Sequence, residues 1–208
     1  MMMDLLFIGA VDLSLLRTMG TKARWFQLHT MINMIITLMA LPDTVLAFKD
    51  PISAMTQYCN RTASILAFSL HLYHLMMFKK ITKMDYIHHG VSSFIGQAPA
   101  ILFYHNKLLN ACNFFICGLP GLINYACLTA VKHKKMNRVT EKKINSFLNI
   151  YLRQPGALYV LFMNYICFRY DYDKYTPKLM YYVGAPILFW NACFFSHEAV
   201  YNYGINNR

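Results

Sequence analysis

The chain has 208 residues, of which 57% are hydrophobic and 14% charged, against roughly 25% charged in an ordinary soluble domain. That balance excludes a disordered chain, which lacks apolar and aromatic residues, and the long uncharged runs argue against a membrane barrel of short alternating strands. The net charge of +11 would suggest nucleic acid in a soluble protein; in so apolar a chain it suggests basic loops at one membrane face, and no nucleic-acid partner is expected.

In chain order, residues 1–19 carry an apolar stretch that is too short to span and is broken by Asp4, Asp12 and Arg17. It reads as an interfacial amphipathic segment. Six apolar stretches follow, at 25–47, 62–78, 86–104, 108–131, 145–168 and 179–200, each near the ~20 residues that cross a hydrocarbon core. The expected fold is therefore all-α: a polytopic membrane protein of six transmembrane helices forming one domain over 20–203, with a short tail at 204–208. Lys and Arg gather at one set of ends and loops, most densely at Lys132, Lys134, Lys135, Arg138, Lys142 and Lys143. The positive-inside rule then puts both termini in the cytoplasm.

None of the six cysteines forms a CxxC pair, and within apolar runs Cys behaves as a small hydrophobe. Cys59 and Cys167 fall near the same expected face, which leaves one disulfide open. Asn60-Arg61-Thr62 matches an N-glycosylation acceptor.

Histidine is the informative residue type. His71, His74, His88, His89 and His105 lie in or beside the middle stretches. His71 and His74 are three apart and share a helix face. Asp85 precedes His88 and His89 by one helical turn and could orient either ring. Imidazole suits acid–base work near neutral pH, and hydrogen-bonded glue between helices is the competing reading. HLYH and DYIHH are too few histidine boxes for an iron-dependent lipid oxidase, so no metal is expected. Arg153, followed by Gln154-Pro155-Gly156, sits at a helix break, where its guanidinium could hold a lipid phosphate or carboxylate or simply reach toward the interface. Gly118-Leu119-Pro120-Gly121 marks another break.

The stretch DYIHHGVSSF, Asp85 to Phe94, followed by FICGLPGLINY and YLRQPG, resembles the TLC-domain family, which groups translocation-associated membrane proteins, longevity-assurance ceramide synthases and ceroid-lipofuscinosis membrane proteins. The resemblance covers residues 20–200 and implies about six membrane helices and an endoplasmic reticulum membrane location. It implies a catalytic role for His88 and His89, with Ser92 as the motif's following Ser/Thr; Asp85 joins them as the residue that could orient the rings, and the clustered histidines add His71 and His74, with Arg153, as expected lipid contacts beside Ser92. The further His and Asp residues of ceramide synthases have no counterpart in Phe114 to Leu119. The expected function is thus to bind, sense or modify membrane lipids through a His-lined cleft. The alternatives are an acyl-CoA-dependent lipid acyltransferase, with acyl-CoA as co-substrate and no other cofactor, and a small-solute transporter or channel. Membrane lipids are the expected partners, and a homo-oligomer is open.

Overall fold

The computed structural model describes residues 1–78, 86 and 89–206. The chain is helical throughout most of these residues. In order come α1 (Met2–Met19), α2 (Arg24–Lys49), α3 (Pro51–Thr56) and α4 (Thr62–Met77). A π-helical segment π1 (His89–Gln97) runs directly into α5 (Ala98–Phe103). Next, α6 (Leu108–Asn113), π2 (Phe114–Gly118) and α7 (Leu119–Lys132) form one continuous helix. So do α8 (Arg138–Leu148), π3 (Asn149–Arg153) and α9 (Gln154–Arg169). Last, π4 (Met180–Gly184) leads into α10 (Ala185–Asn206).

Local chemistry fixes several boundaries. Asp50 caps α3, accepting from the Ser53 amide at 3.1 Å and the Ser53 hydroxyl at 2.6 Å, with Pro51 in the first turn. A carboxylate cap and an N-terminal proline both suit a helix start. Asn137 caps α8 in the same way, accepting from the Val139 amide at 2.7 Å. A π turn is a one-residue expansion of a helix, and a proline stands in the first turn of the helix that follows each of the four, in α5, α7, α9 and α10. Proline has no amide to donate and its ring crowds the carbonyl four residues back, a clash that a wider turn before it relieves.

Helix α2 is the hub, packing against α1, α3, α4, α6, π2 and α7. One apolar cluster lies around Leu28, Ile32, Ile36, Ala63, Leu66 and Leu70, with Ile8 of α1 inserted into it. A second lies around Met55, Leu108, Phe115, Val160, Met163 and Tyr181. Helix α1 is stitched to the bundle by a buried carboxylate. Asp12, fully buried, accepts from Arg24 Nε at 2.9 Å and from Arg24 Nη2, and Tyr73 donates to it at 2.8 Å. Two glycines allow close approach between helices. A Cβ on Gly121 would stand 2.6 Å from Asn33 Nδ2, and one on Gly156 would stand 2.2 Å from the Phe115 ring.

At the opposite end, Asp173 gathers the segment after α9. It accepts from Asn106 Nδ2 at 3.0 Å, from the Thr176 hydroxyl at 2.5 Å and from the Tyr175 amide at 2.9 Å. Asp173→Leu should therefore leave these donors stranded and lower stability by about 2 kcal/mol, measurable as a fall in Tm.

The expectation of six membrane-crossing helices is not met. Among the described residues two helices are long and apolar enough to cross a membrane, Arg24–Lys49 and Leu108–Lys132. The other stretches fall short for identifiable reasons. Helix α4 has 16 residues. The fifth stretch belongs to a helix that opens on Arg138, Glu141, Lys142 and Lys143 and carries Arg153 midway. The sixth holds Asn191, Ser196, His197, Glu198, Asn202 and Asn206. The polytopic six-span bundle, the six-span TLC-type membrane domain and the multi-pass endoplasmic reticulum location are accordingly corrected to an all-α fold with two helices of that length and composition among the described residues. Apolar runs signal burial as readily as they signal lipid, and here part of each run is consumed by helix-to-helix packing. The six cysteines are all free thiols, so Cys59 and Cys167 are not joined.

Candidate functional site: a buried histidine cluster

Three of the expected histidines meet. Helix α4 presents His71 and His74 on one face, one turn apart, toward the start of π1. His74 Nδ1 lies 3.0 Å from His89 Nε2, one ring donating to the other. The His71 and His89 ring centroids are 5.0 Å apart. His71 Nδ1 is 3.0 Å from the Ser93 hydroxyl, one turn along π1 from His89. His74 and His89 are both buried.

Helix α2 closes the cluster from the other side. Trp25 stacks on His74 with centroids 3.6 Å apart and meets His29 edge-on at 3.8 Å. His29 is buried and lies 6.3 Å from His71, centroid to centroid. Its other face stacks on Tyr125 of α7 at 4.1 Å. The result is a buried array of imidazoles walled by indole and phenol. Neutral imidazole carries one donor and one acceptor nitrogen, so such an array can pass a proton along its hydrogen bonds or meet a ligand with either polarity.

The remaining expected residues divide. Ser92 turns away from the cluster and donates to Asn191 Oδ1 of α10 at 3.0 Å. Arg153 is held inside the protein: Nε donates to the Ile116 carbonyl at 3.0 Å and Nη1 to Asn149 Oδ1 at 2.6 Å. Both π2 and π3 matter here, because the first supplies that carbonyl and the second carries the arginine. Burial pulls the Arg153 pKa down from its ordinary value, with the neighbouring Tyr125 and Cys117 acting the other way. His105 is elsewhere, with Nδ1 3.1 Å from Arg61 Nη2. Asp85 and His88 lie outside the described residues.

Sequence reasoning misses Trp25, His29, Ser93 and Tyr125. A signal for two of them exists: Trp25, His29 and Asn33 recur every four residues and share one face of α2. Ser93 is placed by the wider turns of π1, which shift side-chain directions from those of an α-helix. Among the described residues no group of three or more His, Cys, Asp or Glu side chains is arranged to hold a metal ion.

Two cavities accompany the cluster, and neither is lined by a histidine. One is apolar, between π1–α5, α6–π2, α9 and π4–α10. The other is polar, at Asp171, Asp173, Lys174 and Thr176. No family of known proteins, no curated protein and no solved structure matches the chain, so nothing there links it to the TLC-domain family.

Proposed function

We propose that the chain binds a lipid whose polar head is met by the histidine cluster of α4 and π1, and that it senses or modifies that lipid in lipid homeostasis. One observation carries the reading: His71, His74, His89 and Ser93 come together within hydrogen-bonding or ring-contact distance in a largely buried setting. Burying polar rings is costly, and aliphatic side chains would fill the same space without that cost. Outward-facing apolar side chains support contact with lipid: Leu38, Leu41 and Phe48 on α2, Leu158 and Phe162 on α9, Trp190 on α10.

The test is the lipid that stays with the protein on purification. His74→Ala/His89→Ala should retain at least tenfold less of it than the wild type, mole for mole, with Tm within a few degrees. Equal retention by the two proteins would refute head-group contact at this cluster.

The His74–His89 pair favours one second reading, acyl transfer from acyl-CoA. One imidazole would take the proton of an attacking amine or hydroxyl as the thioester carbonyl is attacked. The C–S bond then breaks, and the departing thiolate receives that proton. Thioester turnover by the wild type and none by the double variant would support it; no turnover by either would remove it.

A further inference from the structure

Charge is spread unevenly between the two ends of the molecule. The end of α1 and the turn after it carry Arg17 and Lys22, and the segment joining α7 to α8 carries Lys132, Lys134, Lys135, Arg138 and Lys143. The fold brings these two segments together. Gln27 Nε2 lies 3.0 Å from His133 Nε2, and the Lys132 ammonium lies 5.9 Å from the centre of the Phe26 ring. All of these cations are exposed, and none forms an ion pair among the described residues. The carboxylates on the same helices are already taken: Asp4 by the Met1 amino group, Asp12 by Arg24 and Glu141 by Lys142. Asp43, Asp50 and Asp173 stand at the other end, beside Asn110, Ser53 and Asn106.

Beside this basic end, α1 turns an apolar face outward. Ile8 and Asp12 are buried against the bundle, whereas Met3, Leu6, Phe7 and Leu13 are between 45% and 72% exposed. Their spacing of three and four residues sets them on one stripe of the helix, and Arg17 ends the same stripe. Met19, also exposed, stands between Arg17 and Lys22. The two features adjoin: unpaired cations, then outward apolar side chains on the helix that leads to them. An anionic bilayer surface offers the complement of both, phosphate charge over acyl chains. A helix of this kind lies in the interface with its apolar side at the headgroup–acyl boundary, and each Lys or Arg near an anionic surface adds attraction. Nucleic acid would meet the cations equally well but would leave Leu6, Phe7 and Leu13 against water.

We propose that the basic end and the outer face of α1 dock the protein on an anionic lipid surface. Arg17, Lys22 and the cations of 132–143 sit among the headgroups, and Leu6, Phe7 and Leu13 reach the acyl boundary. Helix α1 lies on the membrane and does not cross it. Its inner face stays with the bundle, because Asp12 ties it to Arg24 and Tyr73. The surface is separate from the histidine cluster and does not depend on its role.

The experiment is flotation of the purified full-length chain with vesicles, which separates bound protein from aggregate. Two compositions are compared: phosphatidylcholine alone, and phosphatidylcholine with about a third replaced by phosphatidylglycerol. The wild type should show a bound-to-free ratio at least tenfold higher on the anionic vesicles. That ratio should fall between about 0.1 M and about 1 M salt, as the screening length shortens from ~10 Å to ~3 Å. Lys134→Gln/Lys135→Gln/Arg138→Gln should lower it at least tenfold, and so should Leu6→Ser/Leu13→Ser. All five positions are exposed, so both variants should melt within a few degrees of the wild type. His74→Ala/His89→Ala should float as the wild type does, so that failure of the histidine reading and failure of this one remain distinct. No flotation of the wild type, equal flotation on the two compositions, or unchanged binding in either surface variant would each overturn the proposal. Unchanged vesicle binding by Leu6→Ser/Leu13→Ser, together with tighter binding of a duplex DNA oligonucleotide than of anionic vesicles, would assign the basic end to nucleic acid instead.

Discussion

Arg24→Met should cost about 3–5 kcal/mol of stability, the scale of breaking a buried ion pair from one side. The cost falls on the partner. Arg24 is 27% exposed at its side chain, but Asp12 is 1% exposed, and without the guanidinium its only remaining side-chain donor among the described residues is Tyr73. A carboxylate buried beside Tyr73 is then left with its charge uncompensated. The same physics gives the converse. Asp12→Leu/Arg24→Met/Tyr73→Phe removes the charge, its counter-charge and the phenol together, and should recover most of the loss, because apolar replacements of a whole buried network are often neutral or stabilising. Thermal melts of the single and triple variants measure both. A single variant within 1 kcal/mol of wild type would mean that α1 does not hold Asp12 as described.

Gly156→Ala carries the second large effect. The added Cβ would sit 2.2 Å from Cδ1 and Cγ of Phe115 and 2.8 Å from its Cβ. These atoms are the root of the ring, so rotating χ2 does not clear them, and π2 must move bodily away from α9. Overpacking of this kind costs about 1–3 kcal/mol, and the shortness of the contact puts Gly156→Ala at the upper end. At roughly 2–4 °C per kcal/mol for a chain of this size, Tm should drop by about 5–10 °C. Phe115→Leu in the same chain removes part of the clash. The double variant should therefore lose less than the two single losses added together. Strict additivity would place the damage elsewhere, in the backbone freedom of the helix itself.

The helices are largely legible in the sequence. The run expected at 25–47 is Arg24–Lys49, that at 62–78 is Thr62–Met77 and that at 108–131 ends at Lys132. Long apolar runs with capping or basic residues at their ends constrain boundaries well. Their environment is not legible in the same way, because hydropathy cannot distinguish a helix face turned to lipid from one turned to another helix. The site divides likewise. The three-residue spacing of His71 and His74 suffices to put both on a common helix face. The arrival of His29 depends on the crossing of α2 over α4, which no local pattern encodes. The parting of Ser92 from Ser93, adjacent in sequence but bonded to α10 and α4 respectively, follows from successive side chains diverging around π1.

The four π turns bear on how this chain tolerates change in length. Removing one residue from a regular helix turns everything beyond it by about 100° and is normally ruinous. A π turn already holds one residue more than the regular winding needs, so a deletion within it can be absorbed by tightening to an ordinary turn. In π3 that tightening would swing Arg153 relative to α9 and away from the Ile116 carbonyl while the backbone stayed helical. Families of length variants descended from this sequence should therefore differ at 89–97, 114–118, 149–153 and 180–184 by single residues, with the scaffold kept and the polar groups at those four places redirected.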